Sequence, residues 1–274
     1  MTINCNGQLI DLSRPKVMGI LNITPNSFYD GGKYKEEEAI VNQVGKMLDE
    51  GATFIDIGAY SSKPSAEFVS EEEEINRLVP IIKLLINKFP TILLSVDTFR
   101  SEVAKKAVEN GVVIVNDISA GMLDDKMIET VSKLQVPYIM MHMRGNPQTM
   151  QSLTDYDDIA KEMIFYFSER INEARSFGLN DIIIDPGFGF AKTIDQNYEV
   201  MQKLELFSML DLPLLVGISR KSMIYKALEI SANEALNGTT VLNTIALQKG
   251  AKILRVHDVK EAMECIDLFN KISN

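Results

Sequence analysis

The chain has 274 residues, 46% hydrophobic and 24% charged, enough material for one sizeable core and a single domain spanning residues 1–274. A formal net charge of −10 argues against nucleic acid as a partner, because phosphate backbones need a basic face, yet it allows a small anion where a few cations converge. Two cysteines, Cys5 and Cys265, show no metal-ligand spacing, and no apolar run is long enough to span a membrane, so a reducing cytoplasm is expected. Residues 2–14 alternate polar and apolar around Asn6-Gly7, which predicts a β-hairpin capping the bottom of the molecule. A strand over 17–21 ends on Asn22, residues 24–32 make a turn-rich loop, and helical spacing over 36–50 stops at Gly51. The unit then recurs. Strand 53–57 leads to a loop and a helix from Ser70, where Ser70 and Glu73 offer a capping box; the acidic run 71–74 reads as a first helical turn favoured by the macrodipole. Strand 92–96 leads to Asp97 and a helix over 101–109, and strand 112–115 leads to Asn116-Asp117 and a helix over 125–134. Strand 137–141 leads to His142 and a long helix ending near Gly178. Strand 182–184 runs into Asp185-Pro186-Gly187-Phe188-Gly189-Phe190. Strand 214–216 leads to Gly217 and Ser219-Arg220-Lys221, and strand 253–256 to His257-Asp258 and a last helix.

Eight strand–helix units predict an α/β fold, a (β/α)8 TIM barrel with a short N-terminal hairpin cap. The alternative, a doubly wound open sheet, lacks any glycine fingerprint opening a unit. In a barrel the residues just past each strand meet at one mouth. Here they are Asn22, Asp56, Asp97, Asn116, His142, Asp185, Lys221, Arg255 and His257. Taken singly, Asp56 or Asp97 could be a helix cap, Asn116-Asp117 an Asx-turn, and His257 a core histidine. Together they suit a heterocycle rich in N–H donors, and Arg255 and His257, alternate residues on one strand, could clamp an anion. No acidic or histidine cluster has transition-metal spacing, so any metal should be Mg²⁺ held by one or two oxygens and by substrate phosphates.

Several stretches form one ordered series: residues 18–28 with Asp30-Gly31-Gly32, then Asp56-Ile57-Gly58-Ala59, Ser95-Val96-Asp97-Thr98 and Asn116-Asp117-Ile118-Ser119. Met141-His142-Met143, the 185–190 segment, Gly217-Ile218-Ser219-Arg220-Lys221-Ser222 and Arg255-Val256-His257-Asp258 complete it. In these stretches the sequence resembles dihydropteroate synthase of folate biosynthesis. The resemblance implies a transferase that joins 6-hydroxymethyl-7,8-dihydropterin diphosphate to 4-aminobenzoate, releasing diphosphate. It implies that Asp97, Asn116, Asp185 and Lys221 bind the pterin, with Arg255 stacked on it and Met141 in the pocket wall. Asn22, Ser62, Arg255 and His257 would hold diphosphate, with Mg²⁺ on Asn22. Phe28, Ser62, Lys63, Pro64, Phe190, Ser219, Lys221 and Ser222 would enclose 4-aminobenzoate. Asp97, Asp185, Lys221, Arg255 and His257 are the implied catalytic set. It further implies sulfonamides as inhibitors and a homodimer formed through the last two helices, for which Ile245, Leu247, Ile266 and Phe269 are candidates.

The chain departs from the family pattern in both loops. Asn26 stands where aspartate is common, and Tyr60-Ser61-Ser62-Lys63-Pro64-Ser65 replaces Glu-Ser-Thr-Arg-Pro-Gly. Lys63 keeps the charge but loses the bidentate fork, so pairing with Asp30 should be looser and the handling of 4-aminobenzoate and sulfonamides altered. Two other readings share the barrel: a pterin-binding methyltransferase domain, which usually lacks the first loop, and a silent pterin binder, which would shed its anion-binding groups first.

Overall fold

The N-terminal hairpin pairs β1 (Thr2–Cys5) with β2 (Gln8–Asp11) through Asn6 and Gly7, at φ 50° and 87°, the two left-handed residues that a type I′ turn requires. This computed structural model describes residues 1–23, 33–60 and 69–273. The hairpin lies at the bottom, where the Asn4 backbone N–H reaches Asp181, the residue before a barrel strand.

Eight parallel strands follow: β3 (Lys16–Asn22), β4 (Phe54–Gly58), β5 (Leu94–Asp97), β6 (Ile114–Asp117), β7 (Tyr138–Met141), β8 (Ile182–Asp185), β9 (Leu215–Val216) and β10 (Ile253–Val256). Their spatial order is β8-β7-β6-β5-β4-β3-β10-β9, and a parallel bridge between Ile184 and Leu214 joins the two ends, so the sheet closes into the expected TIM barrel. Outside it run α1 (Lys33–Asp49), α2 (Glu71–Lys88), α3 (Ser101–Glu109), α4 (Met127–Leu134), α5 (Ile159–Ser176), α6 (Ile194–Gln202), α7 (Ser222–Ala227), α8 (Leu236–Gln248) and α9 (Val259–Ser273).

The strands sort their residues by alternation. Val17, Leu21, Ile55, Ile57, Val96, Val115, Met140 and Ile184 face the helices and make the main core. Met18, Phe54, Ile114, Ile139, Ile183, Leu215 and Ile253 face the barrel interior, where Ile3, Cys5, Ile10 and Leu12 of the hairpin close it from below. Burying one such side chain stabilises the fold by roughly 1.5–3 kcal/mol, so this apolar plug makes a firm floor. Two residues further along β4, β6, β8 and β10 the same face turns polar, at Asp56, Asn116, Asp185 and Arg255, and that change of layer creates the mouth.

Local details differ from expectation for physical reasons. Ser70 accepts from the Glu73 backbone N–H at 3.2 Å as a cap should. The acidic run forms the first turn of α2 as expected, with Glu74 fully buried and ion-paired with Arg100. Helix α4 starts at Met127 rather than 125, because Asp124 spends one carboxylate oxygen on the N-terminal Ser101 of α3 and the other on Lys126. Of the residues considered for a dimer face, Leu247 and Ile266 are core and Ile245 and Phe269 are half-buried against it; Val241, Leu268 and Ile272 are instead exposed on α8 and α9.

Candidate active site

The mouth is the C-terminal end of the barrel, and the interior alternation delivers its groups. Above Phe54 stands Asp56, above Ser95 Asp97, above Ile114 Asn116, above Ile139 Met141, above Ile183 Asp185 and above Ile253 Arg255. One step higher come Asn22, the last residue of β3, and His257, just past β10; both are exposed.

Arg255 organises the centre. Its Nε donates to Asp56 at 2.6 Å and its Nη2 to Asp97 at 2.7 Å, while Asn116 Nδ2 donates to the same Asp56 oxygen at 2.9 Å. Burial opposes the guanidinium's charge, but Asp56 and Asp97 more than offset this and hold it firmly protonated. Burial raises Asp97 to about 7, with Arg255 pulling the other way. Its side chain is nevertheless 25% exposed, as a group lining a narrow recess should be. Among the described residues the second Asp56 oxygen is buried without a partner, as is the Ser95 hydroxyl on the neighbouring strand.

Asp185 and Lys221 form the other wall. Asp185 accepts from the Gly187 N–H at 2.8 Å, and burial raises its carboxyl while Lys221 lowers it. Lys221 donates to the Phe188 carbonyl at 2.5 Å and lies 4.9 Å from the centre of the Phe190 ring. Burial brings Lys221 down to about 8, opposed chiefly by Asp185. Gly217 lies between the two walls, where a Cβ would sit 3.8 Å from the Arg255 Cβ and 3.9 Å from an Asp185 carboxylate oxygen. Met141 and Phe190 belong to one apolar cluster beside this wall. At the rim His257 Nδ1 is 3.2 Å from the Ser219 hydroxyl, and partial desolvation of the ring with the Arg255 charge lowers its pKa. Ser222 opens α7 next to Lys221.

The structure thus gathers Asn22, Asp97, Asn116, Met141, Asp185, Phe190, Ser219, Lys221, Ser222, Arg255 and His257 around one mouth. Phe28, Ser62, Lys63 and Pro64, with Asn26, Asp30 and Ser65, lie outside the described residues. His142 is the exception to the strand-end expectation. Alternation points Met141 inward and therefore His142 outward, where it is 2% exposed, packed edge-on to Tyr166 and 3.0 Å from Lys192. Asp117 likewise faces the helices, accepting from Tyr138, Ser119 and Gly121. Sequence reasoning missed Lys192, buried beneath the 185–190 segment, and left Asp56 without a role although it ties Arg255 to Asn116. Strand position had placed Asp56 at the mouth but could not show its partners; nothing distinguished Lys192 from a solvated lysine.

Carboxylates, a carboxamide and a lysine converge on a slot that would accept a flat, donor-rich ring, and a free carboxamide and a histidine stand at its rim, above the Arg255 guanidinium, to meet an anion. Residues 18–257 match the family described as pterin binding enzyme. The dihydropteroate synthase of Haemophilus influenzae is 40% identical over 276 residues, covering 100% of both chains. The Yersinia pestis dihydropteroate synthase in a sulfonamide drug complex superposes with a TM-score of 0.92 at 38% identity, covering 100% of this chain and 99% of its own. That of Xanthomonas albilineans with 4-aminobenzoic acid gives 0.91 at 35% identity, covering 99% and 98%. The chain belongs to the pterin-binding enzymes, among the dihydropteroate synthases.

Proposed function

We propose that this chain joins 6-hydroxymethyl-7,8-dihydropterin diphosphate to 4-aminobenzoate, giving 7,8-dihydropteroate and diphosphate. The observation that carries the reading is the division of the mouth: Asp97, Asn116 and Asp185 offer hydrogen-bonding groups in the recess, while Asn22 and His257 stand exposed at the rim. Asn116, Asp185 and Lys221 would read the ring edge, Arg255 would cover its face, and Met141 would pack against it. Asn22, Ser62 and His257, with the Arg255 Nη1 that its carboxylate partners leave unused, would hold the diphosphate. Phe28, Lys63, Pro64, Phe190, Ser219 and Ser222 would surround 4-aminobenzoate, the site at which a sulfonamide would compete.

Among the described residues no group of three His, Cys, Asp or Glu side chains could hold a metal. The exposed Asn22 carboxamide has no partner there either. One free hard oxygen at an anion-binding rim fits Mg²⁺ carried mainly by the substrate's phosphates, with Asn22 as its protein ligand. Bound there, the ion would offset charge that grows on the departing diphosphate.

The chain's own groups account for the rest. As the C–O bond to diphosphate breaks, Arg255 and His257 would stabilise the leaving anion, and Asp97 and Asp185 the positive charge left at the pterin methylene. The amine of 4-aminobenzoate attacks that carbon as a neutral nucleophile. Its surplus proton can leave to water or diphosphate, so no strong base is needed. The floor of Met18, Phe54 and Ile183 keeps water from reaching the carbon from below. The test is release of diphosphate. We expect it, with dihydropteroate, when the chain is given both substrates and Mg²⁺; no release under those conditions would overturn the reading.

Two further proposals concern setting. The exposed Val241, Leu268 and Ile272 on α8 and α9 support a homodimer through these helices. A cytoplasmic location is supported by two free, buried cysteines.

A further inference from the structure

The segment after β8 is an improbable piece of backbone. Gly187, Gly189 and Ala191 all take left-handed conformations, at φ 68°, 84° and 47°, and the last of them carries a Cβ. A chain does not hold three such residues in five unless its surroundings fix them. Gly187 is also pressed against β7, where a Cβ would come within 2.3 Å of the His142 carbonyl.

Lys192 supplies much of that constraint. Its side chain folds back beneath the segment, 4% exposed, and Nζ donates to the Gly187 carbonyl at 3.1 Å and the Phe190 carbonyl at 3.0 Å. His142 Nδ1 lies 3.0 Å away as its third neighbour. Among the described residues no carboxylate is ion-paired with it, an arrangement that costs desolvation and that an apolar side chain would avoid. Burial brings Lys192 down to about 7, opposed by Asp185, with Lys221 and Arg144 the other charges acting on it. The pairing with His142 suits either protonation state. An ammonium donates to Nδ1, whereas an amine can accept from Nδ1–H, and both carbonyl bonds survive the exchange.

What this clamp holds is the surface against which Lys221 rests. The two carbonyls grasped by Lys192 bracket Phe188, whose own carbonyl takes the Lys221 ammonium, and Phe190, whose ring covers it. We propose that Lys192 is a positioning residue: it fixes the 187–190 backbone so that Lys221 has a single place at the mouth. The inference rests on the synthase reading for its kinetic consequence but not for its structural one.

The test uses the full chain carrying Lys192→Met, which keeps the volume and removes the donors. We expect kcat/KM for 4-aminobenzoate to fall by about tenfold with the melting temperature nearly unchanged, and Lys192→Met combined with Phe190→Leu to lose little more than the worse single variant. Lys192→Gln serves for the same comparison if the methionine variant does not fold. Independently of turnover, ¹⁵N-lysine NMR should show the Lys221 ammonium exchanging with water about tenfold faster once Lys192 is replaced. Unchanged kinetics, losses that multiply in the double variant, or unchanged Lys221 exchange would overturn the proposal. A wild-type chain that releases no diphosphate would instead overturn the synthase reading, and the Lys221 exchange would still decide the role of Lys192.

Discussion

Arg255 on β10 and Asp56 on β4 meet at 2.6 Å across the intervening strand β3, although 199 residues separate them in the chain. The same Asp56 oxygen takes Asn116 from β6, so one buried carboxylate couples a residue expected to lie over the pterin ring to one expected at its edge. Replacing Asp56 by asparagine keeps the shape and removes the charge that orients Arg255. We expect kcat/KM for the pterin diphosphate to fall by about 100-fold, the scale of losing one preorganised electrostatic group. Steady-state kinetics with the pterin varied will read it.

Asp185 and Lys221 should be as sensitive. Asp185→Asn or Lys221→Ala is expected to lower kcat by about 100-fold or more, because each removes a charge fixed at the reacting end. Near wild-type turnover in either variant would remove that residue from the site.

The pH profile follows from two groups of opposite type. Asp97 loses its proton as pH rises through about 7 and becomes the anion able to stabilise a cationic carbon. Lys221 loses its charge as pH rises through about 8. A plot of kcat/KM against pH should therefore rise near 7 and fall near 8, the two limbs belonging to the coupled cluster as a whole. In Lys221→Ala the alkaline limb should disappear from the residual activity.

Gly217 and Gly187 make contrasting predictions. A methyl group at Gly217 would touch Arg255 and Asp185 only at ordinary contact distance, so Gly217→Ala should fold normally yet raise KM for the pterin by filling its slot. At Gly187 the methyl group would meet the His142 carbonyl at 2.3 Å in a left-handed backbone, so Gly187→Ala should cost about 2–4 kcal/mol and lower the melting temperature by several degrees. Thermal unfolding of the two variants side by side separates these effects.

The barrel was legible because each strand announces itself as an apolar run ending on a polar residue, from Met18 to Asn22 and from Ile182 to Asp185. Most of the mouth followed from that pattern alone. Local spacing could not supply inward or outward facing at the strand ends. His142 looked like a mouth residue until the register placed Met141 on the interior face. Nor could it supply the carboxylates that occupy Arg255, since Asp56 and Asp97 reach it only once the barrel closes. Lys192 was hidden for another reason: a lysine one residue before the cap of a helix reads as solvated, and only the fold-back of the 187–190 backbone buries it.

The most direct measurement is a crystal structure of the chain with the pterin, diphosphate and 4-aminobenzoate bound together. The pterin should lie within hydrogen-bond reach of Asn116 and Asp185 with Arg255 against its face, the diphosphate beside Asn22 and His257, and 4-aminobenzoate next to Phe190. A pterin bound anywhere else, or one whose diphosphate points away from Asn22 and His257, would contradict the account.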